Sequence, residues 1–92
     1  MSASPTLKNH FRVSAQLDPN ALLRVLELFA LNDVTPHWVQ ARSVSGSSLT
    51  VDLHVAGLDV HKAEVIAAKL NAQVLVRGAS VEHIMPVAVA AE

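Results

Sequence analysis

Five histidines, a cluster of serines and one short acidic turn are the residues of this chain whose types could do chemistry. His10, His37, His54, His61 and His83 show no His-x-x-x-His spacing, and no cysteine is present to join them, so the usual donor set of a zinc site is missing. His10 and His54 could face each other on neighbouring strands, but two ligands do not make a site, and the histidines read as solvated or structural. Ser43, Ser45, Ser47 and Ser48 lie around a Gly and outside any Gly-x-Ser-x-Gly elbow, which makes them turn residues rather than nucleophiles. The turn Asp18-Pro19-Asn20-Ala21 remains. It precedes an apolar-periodic segment, and the free N–H groups at a helix start can bind an anion. The same residues also suit a plain helix cap, with Asp18 as N-cap and Pro19 in the first helical position.

Composition narrows the classes. A chain of 92 residues holds one domain, and with only Phe11, Phe29 and Trp38 as aromatics its core must be built from Leu, Val, Ile and Ala. The formal charge of −1 supplies no basic excess to displace counterions from a nucleic acid, which is therefore not expected as a partner. The absence of cysteine excludes disulfides and thiol catalysis. The opening MSASPTLKN lacks the apolar segment of a signal peptide, and no apolar run reaches the ~18 residues of a membrane span. The expectation is a soluble, cytoplasmic protein.

Six elements should position these residues. Phe11, Val13, Ala15 and Leu17 alternate with polar residues as on a strand with one buried face. A helix follows to about Asn32. A strand from Thr35 to Val44 and another from Leu49 to Val55 flank the turn Ser45-Gly46-Ser47-Ser48 and form a hairpin. Asp59 caps a second helix ending near Asn71, with Ala63, Ile66, Ala67 and Leu70 on its inner face, and a last strand covers Val74 to Val81, in which Gly78 marks a bulge or a close backbone approach. The order predicts an α+β, ferredoxin-like βαββαβ domain over residues 9–84, in which two helices cover one face of a four-stranded antiparallel sheet. Residues 1–8 and 85–92 read as flexible tails. The uncovered face should carry Arg12, Ser14, Gln16, Thr50, Asp52 and His54. Domains of this topology that bind RNA stack bases on aromatic side chains of the central strands, and nothing in Arg12, Ser14, Gln16, Thr50 and Asp52 can stack.

On the first helix, Leu22, Val25, Leu26 and Phe29 form the expected core stripe, while Ala21, Leu28 and Leu31 lie off it. That extra apolar surface predicts either a partner or singly exposed leucines. Trp38 has two readings. In one register Trp38, Gln40 and Arg42 face outwards on an edge strand and Trp38 anchors an interface; slipped by one residue, Trp38 joins the core.

The stretch FRVSAQLDPNALLRVLELFALNDVTPHWV, with its L-x-R-V-L-x-L-F helix followed by N-D-V-T, resembles the opening of an ACT domain, the small regulatory module of amino-acid metabolism. Over roughly residues 9 to 83 the chain is most similar to the short regulatory small subunits of acetolactate synthase. The resemblance implies a non-catalytic subunit that activates a large thiamine-diphosphate enzyme in branched-chain amino-acid synthesis. The cofactor would belong to that partner and none to this chain. A stand-alone module binding an amino acid between two copies, and a structural domain with no ligand, are the alternatives.

The resemblance also places an effector site at Asp18, Asn20, Ala21 and Thr35, in degenerate form. Asn20 stands where sensing members carry Gly, Asp18 puts negative charge where a carboxylate should arrive, and Thr35 replaces an Asn that holds the effector amine. A homodimer is expected, built by pairing the strand from Thr35 to Val44 with its copy, with Trp38, Leu28 and Leu31 at the interface. Arg12 and Arg42 are the candidates for holding carboxylates of the catalytic partner.

Overall fold

The computed structural model describes residues 8–84, within which the chain forms β1 (Lys8–Gln16), α1 (Pro19–Leu31), β2 (Trp38–Ser45), β3 (Ser48–Ala56), α2 (Val60–Asn71) and β4 (Val76–Ile84). The strands make one antiparallel sheet in the order β2-β3-β1-β4, giving the expected ferredoxin-like βαββαβ fold. The expected tails lie outside the described residues, apart from Lys8, which opens β1.

Alternation builds the core. Phe11, Val13 and Ala15 of β1 and Leu49, Val51, Leu53 and Val55 of β3 point to the helices and are buried. Against them pack Ala21, Val25 and Phe29 of α1 and Ala63, Ile66, Ala67 and Leu70 of α2. Phe11 and Phe29 meet edge to face at 5.0 Å. One polar residue shares this face: Asn9, fully buried, donates from Nδ2 to the Leu58 carbonyl (3.1 Å), and its Oδ1 accepts from His83 Nδ1 (2.7 Å). The other ring nitrogen of His83 lies 3.1 Å from Glu64 of α2. A buried amide is tolerated here because both its ends are bonded.

Several boundaries differ from the sequence reading. The second strand starts at Trp38 rather than Thr35. After α1, Asp33 takes a left-handed φ of 58° and Val34 N–H returns to the Phe29 carbonyl, so Thr35 to His37 carry the chain from helix to sheet. The last strand starts at Val76 rather than Val74, because Ala72 and Gln73 still bond back to α2 carbonyls and a turn from Gln73 to Val76 follows. Leu17, expected in the core, is exposed. The bulge falls beside Gly78: Ser14 faces Gly78 while Ala15 faces Val76, leaving Arg77 as the extra residue.

The face of α1 is also rotated from the expected stripe. Ala21 belongs to the core, Leu22 and Leu26 are only half-buried, and Val25 and Phe29 hold the centre. The helix crosses the sheet with its Ala21 side inwards, which a wheel drawn on leucines alone misses, since small residues sit where a helix approaches a sheet most closely.

Candidate functional site

At the N-terminus of α1 the backbone donors are already spoken for. Pro19 has no N–H, Asn20 N–H donates to Asp18 Oδ1 (2.8 Å), and Ala21 N–H donates to the Asp18 carbonyl (2.9 Å). Asp18 thus performs as an N-cap in the place where an effector carboxylate would need those groups. The Ala21 side chain is buried and cannot touch a ligand. Thr35 lies beyond the opposite end of α1, a 13-residue helix about 20 Å long. A single chain therefore does not bring Asp18, Asn20 and Ala21 together with Thr35.

Two depressions border α1, one along its flank and one past its C-terminal end. A groove of about 460 Å³ runs between α1 and the α2–β4 connection, lined by Asn20, Arg24, Leu28, Leu31, Gln73 and Leu75 among others. There Gln73 Nε2 donates to the Arg24 carbonyl (3.1 Å), while Gln73 Oε1 is buried without a partner among the described residues. A second, more polar depression of about 310 Å³ holds Thr35 with Asp33, Asp59 and Lys62.

Leu28 and Leu31 consequently lie on the flank of α1 that faces the α2–β4 connection. They do not lie beside β2, as the expected interface required, and Leu31 is 77% exposed. The opposite flank of the helix, carrying Leu22, Leu23 and Leu26, is the one turned towards β2. This follows because α2 lies over β4 and β1, leaving α1 on the β3–β2 side.

Strand β2 is an edge, and all of its residues are exposed. Trp38 pairs with His54, Gln40 with Asp52 and Arg42 with Thr50, which puts Trp38 and Arg42 on the open face of the sheet and decides the register in favour of an outward Trp38. Val39, 40% exposed, faces the helix side without cover.

Arg12, on the same open face, already holds a carboxylate of its own chain. Its Nε donates to Asp52 Oδ1 (2.9 Å), and His10 Nε2 donates to the same oxygen (2.8 Å). Burial works against the charge on Asp52, but these bonds outweigh it and hold the carboxyl below its usual range. His54 sits between Trp38 (ring centroids 4.5 Å), His10 (4.6 Å) and His37 (6.1 Å). Burial and then the neighbouring His10 and His37 push its pKa down.

His10 and His54 face each other as their strands suggest, whereas Trp38 and His37 join them only through the β2–β3 pairing, whose register the sequence leaves open. Among the described residues no three His, Asp or Glu side chains are grouped to hold a metal ion, and no helix is long and apolar enough to cross a membrane.

The profile of the ACT-like domain family matches residues 2–88. The chain belongs to that family. The ACT-like domain is similar in fold to the ACT domain from GTP pyrophosphokinase of Chlorobium tepidum, with a TM-score of 0.70 at 13% identity, covering 86% of this chain and 99% of that one. It is also similar to the C-terminal domain of the MgtC protein from Mycobacterium tuberculosis (TM-score 0.66, 20% identity, all of both chains). A third neighbour is a homoserine dehydrogenase from Thiobacillus denitrificans (TM-score 0.65, 18% identity), where the match covers 87% of this domain but only 17% of the dehydrogenase chain. No curated protein matches the sequence.

Proposed function

We propose that this ACT-like domain is a non-catalytic regulatory subunit that pairs with its own copy through β2 and modulates a separate catalytic chain, the large thiamine-diphosphate subunit of acetolactate synthase in branched-chain amino-acid synthesis. The observation that carries the reading is the bare β2 edge: eight exposed residues with unpaired backbone groups, flanked by uncovered Val39 and by the apolar side of α1 at Leu22, Leu23 and Leu26. An edge of this kind is a template for another strand. Isologous pairing of β2 with its copy yields an eight-stranded sheet and covers those leucines. Likeness in fold to domains of GTP pyrophosphokinase and homoserine dehydrogenase supports a regulatory role, and the acetolactate synthase assignment rests on the sequence resemblance.

Activation requires the domain to prefer the partner's active conformation, and a tenfold gain in turnover asks for only about 1.4 kcal/mol of differential binding. Light scattering at micromolar concentration is expected to show a dimer, with Val39→Glu shifting it to monomer by placing a charge in the apolar contact. Mixing the chain with the acetolactate synthase large subunit is expected to raise turnover. Unchanged turnover at saturation, with binding shown separately, would overturn the activator reading.

A second reading, an amino-acid module with its site between two copies, is favoured by what the proposed pairing would do. Antiparallel pairing of β2 carries the Asp18 turn of one protomer towards Thr35 of its copy, residues that a single protomer holds at opposite ends of α1. With the turn's donors taken by Asp18, valine is expected to bind weakly; calorimetry giving a low-micromolar Kd would favour this second reading.

A further inference from the structure

The open face of the sheet carries a strip of flat rings crossing three strands. His54 of β3 is paired in register with Trp38 of β2 on one side and His10 of β1 on the other. At centroid separations of 4.5 and 4.6 Å the three rings touch in sequence, while tilts of 51° and 56° turn their planes away from one another, so they form one contiguous cluster. Trp38 remains 42% exposed at the outer end.

Cations border the strip. Alternation along β1 puts Lys8 and Arg12 on either side of His10. Arg12 is anchored through Nε to Asp52, yet its side chain is 65% exposed and its two Nη atoms have no partner among the described residues. The guanidinium is therefore fixed in orientation with its terminal fork turned to solvent. The face as a whole carries Lys8, Arg12 and Arg42 against Asp52 and Glu82, although the rest of the chain is net acidic. Overall charge, which argued against a phosphate ligand, hides this local excess.

Flat rings beside a fixed guanidinium match a ligand that is itself a flat heterocycle joined to an anion. Arg12 is the diagonal cross-strand neighbour of His54, ~7–8 Å away, about the reach from a nucleotide base to its phosphate. We propose that the open face binds a nucleotide unit, its base stacked on the exposed ring of Trp38 with an edge against His54, and its phosphate held by the Nη atoms of Arg12, with Lys8 adding charge nearby. Bases stack on Trp and His irrespective of their sequence, and the same unit could arrive free or within a single strand. The inference goes beyond the regulatory reading and does not depend on it, since pairing through β2 extends the sheet and leaves this face uncovered.

Trp38 is the only tryptophan of the chain and reports directly on its own surface. The full-length protein is titrated at low salt with adenosine monophosphate and with a ten-residue oligoadenylate, following tryptophan emission. Saturable quenching by either probe is expected, weakened at least fivefold by Arg12→Gln and by His54→Ala and unchanged by Leu23→Ala on the opposite layer. Tenfold tighter binding of the oligomer identifies a strand as the source, and similar affinities identify the free nucleotide. No saturable quenching by either probe, or binding by a folded Arg12→Gln protein as tight as that of the parent, overturns the proposal. Because Arg12→Gln changes a largely exposed side chain, its melting curve separates loss of binding from loss of fold.

Discussion

At one edge of the sheet β4 lies under α2, and the Asn71 side chain at the end of that helix treats it as a partner strand would. Its Nδ2 donates to the Ala79 carbonyl (2.8 Å), and its Oδ1 accepts from Ala79 N–H (2.9 Å). The bulge at Arg77 adds a further irregularity to this edge, and its guanidinium reaches inward past the end of β1 to the Ser47 carbonyl and the Ser48 hydroxyl. At the other edge, among the described residues, β2 has neither a helix above it nor a side chain bonded across its backbone, and only Arg42 among its residues is charged. A two-edged sheet can join further strands on both sides and grow without closing. One blocked edge and one free edge would limit assembly to a pair, as the proposed dimer requires.

The comparison can be tested by damaging each edge in turn. Leu70 is fully buried on α2, the helix that covers β4, so Leu70→Ala should cost about 2–5 kcal/mol through lost burial and the cavity left behind. Denaturant melts should register it as a lower midpoint. Asn71→Ala removes the two bonds to Ala79 and a third to the Ala67 carbonyl. With the Ala79 bonds exposed and the Ala67 bond partly buried, the three should sum to about 1–2 kcal/mol, but the variant should also form species larger than a dimer, visible by light scattering, because its second edge is now open. A dimer with parental size distribution would show that Asn71 is not what guards that edge.

A smaller effect should separate the edges by pH. The lowered pKa of His54, next to β2, means that the unfolded chain takes up its proton first. Stability is then flat above the ordinary histidine value of 6.5 and falls as the pH drops below it, until the folded protein is protonated as well. His54→Gln should flatten that part of the stability curve. Asp52 acts lower: its depressed pKa contributes stability above the ordinary 3.8 that is lost as pH falls through the folded value. The smallest change should come from Leu31→Ala, which alters a residue now placed away from β2 and should move stability by no more than about 0.5 kcal/mol and leave dimerisation alone.

Period and capping residues made most of the fold legible. Asp18 and Asp59 cap the helices they were expected to cap, α2 ends at Asn71, and the alternation through Phe11, Val13 and Ala15 found the buried face of β1. The misplacements have physical causes. Thr35-Pro36-His37 looks β-prone, but Pro36 lacks the N–H for a ladder and the chain was still descending from α1. Ala21 was passed over for bulkier leucines, although close helix–sheet approach selects small residues. Asn9 was the subtler loss: it occupies an inward position of the strand, and only the partners His83 and Leu58, from distant parts of the chain, make a polar residue acceptable there. The turn at Asp18 caps α1, and its separation from Thr35 is a length of helix, which matching residues to a motif does not convey.

Lys8 and Ile84, the outermost residues of β1 and β4, face each other across the same ladder. Any tension transmitted through the chain on either side of the domain would therefore pull along the hydrogen-bond direction rather than along the strands. Such a load falls on one rung at a time, starting with the Lys8 pair and reaching the Asn9–His83 bond next, so the sheet would open like a zipper at low force instead of resisting in shear. Held between two anchored segments, the domain would be a mechanically soft link whose first failure frees β4 from β1 while the β2–β3 hairpin stays intact.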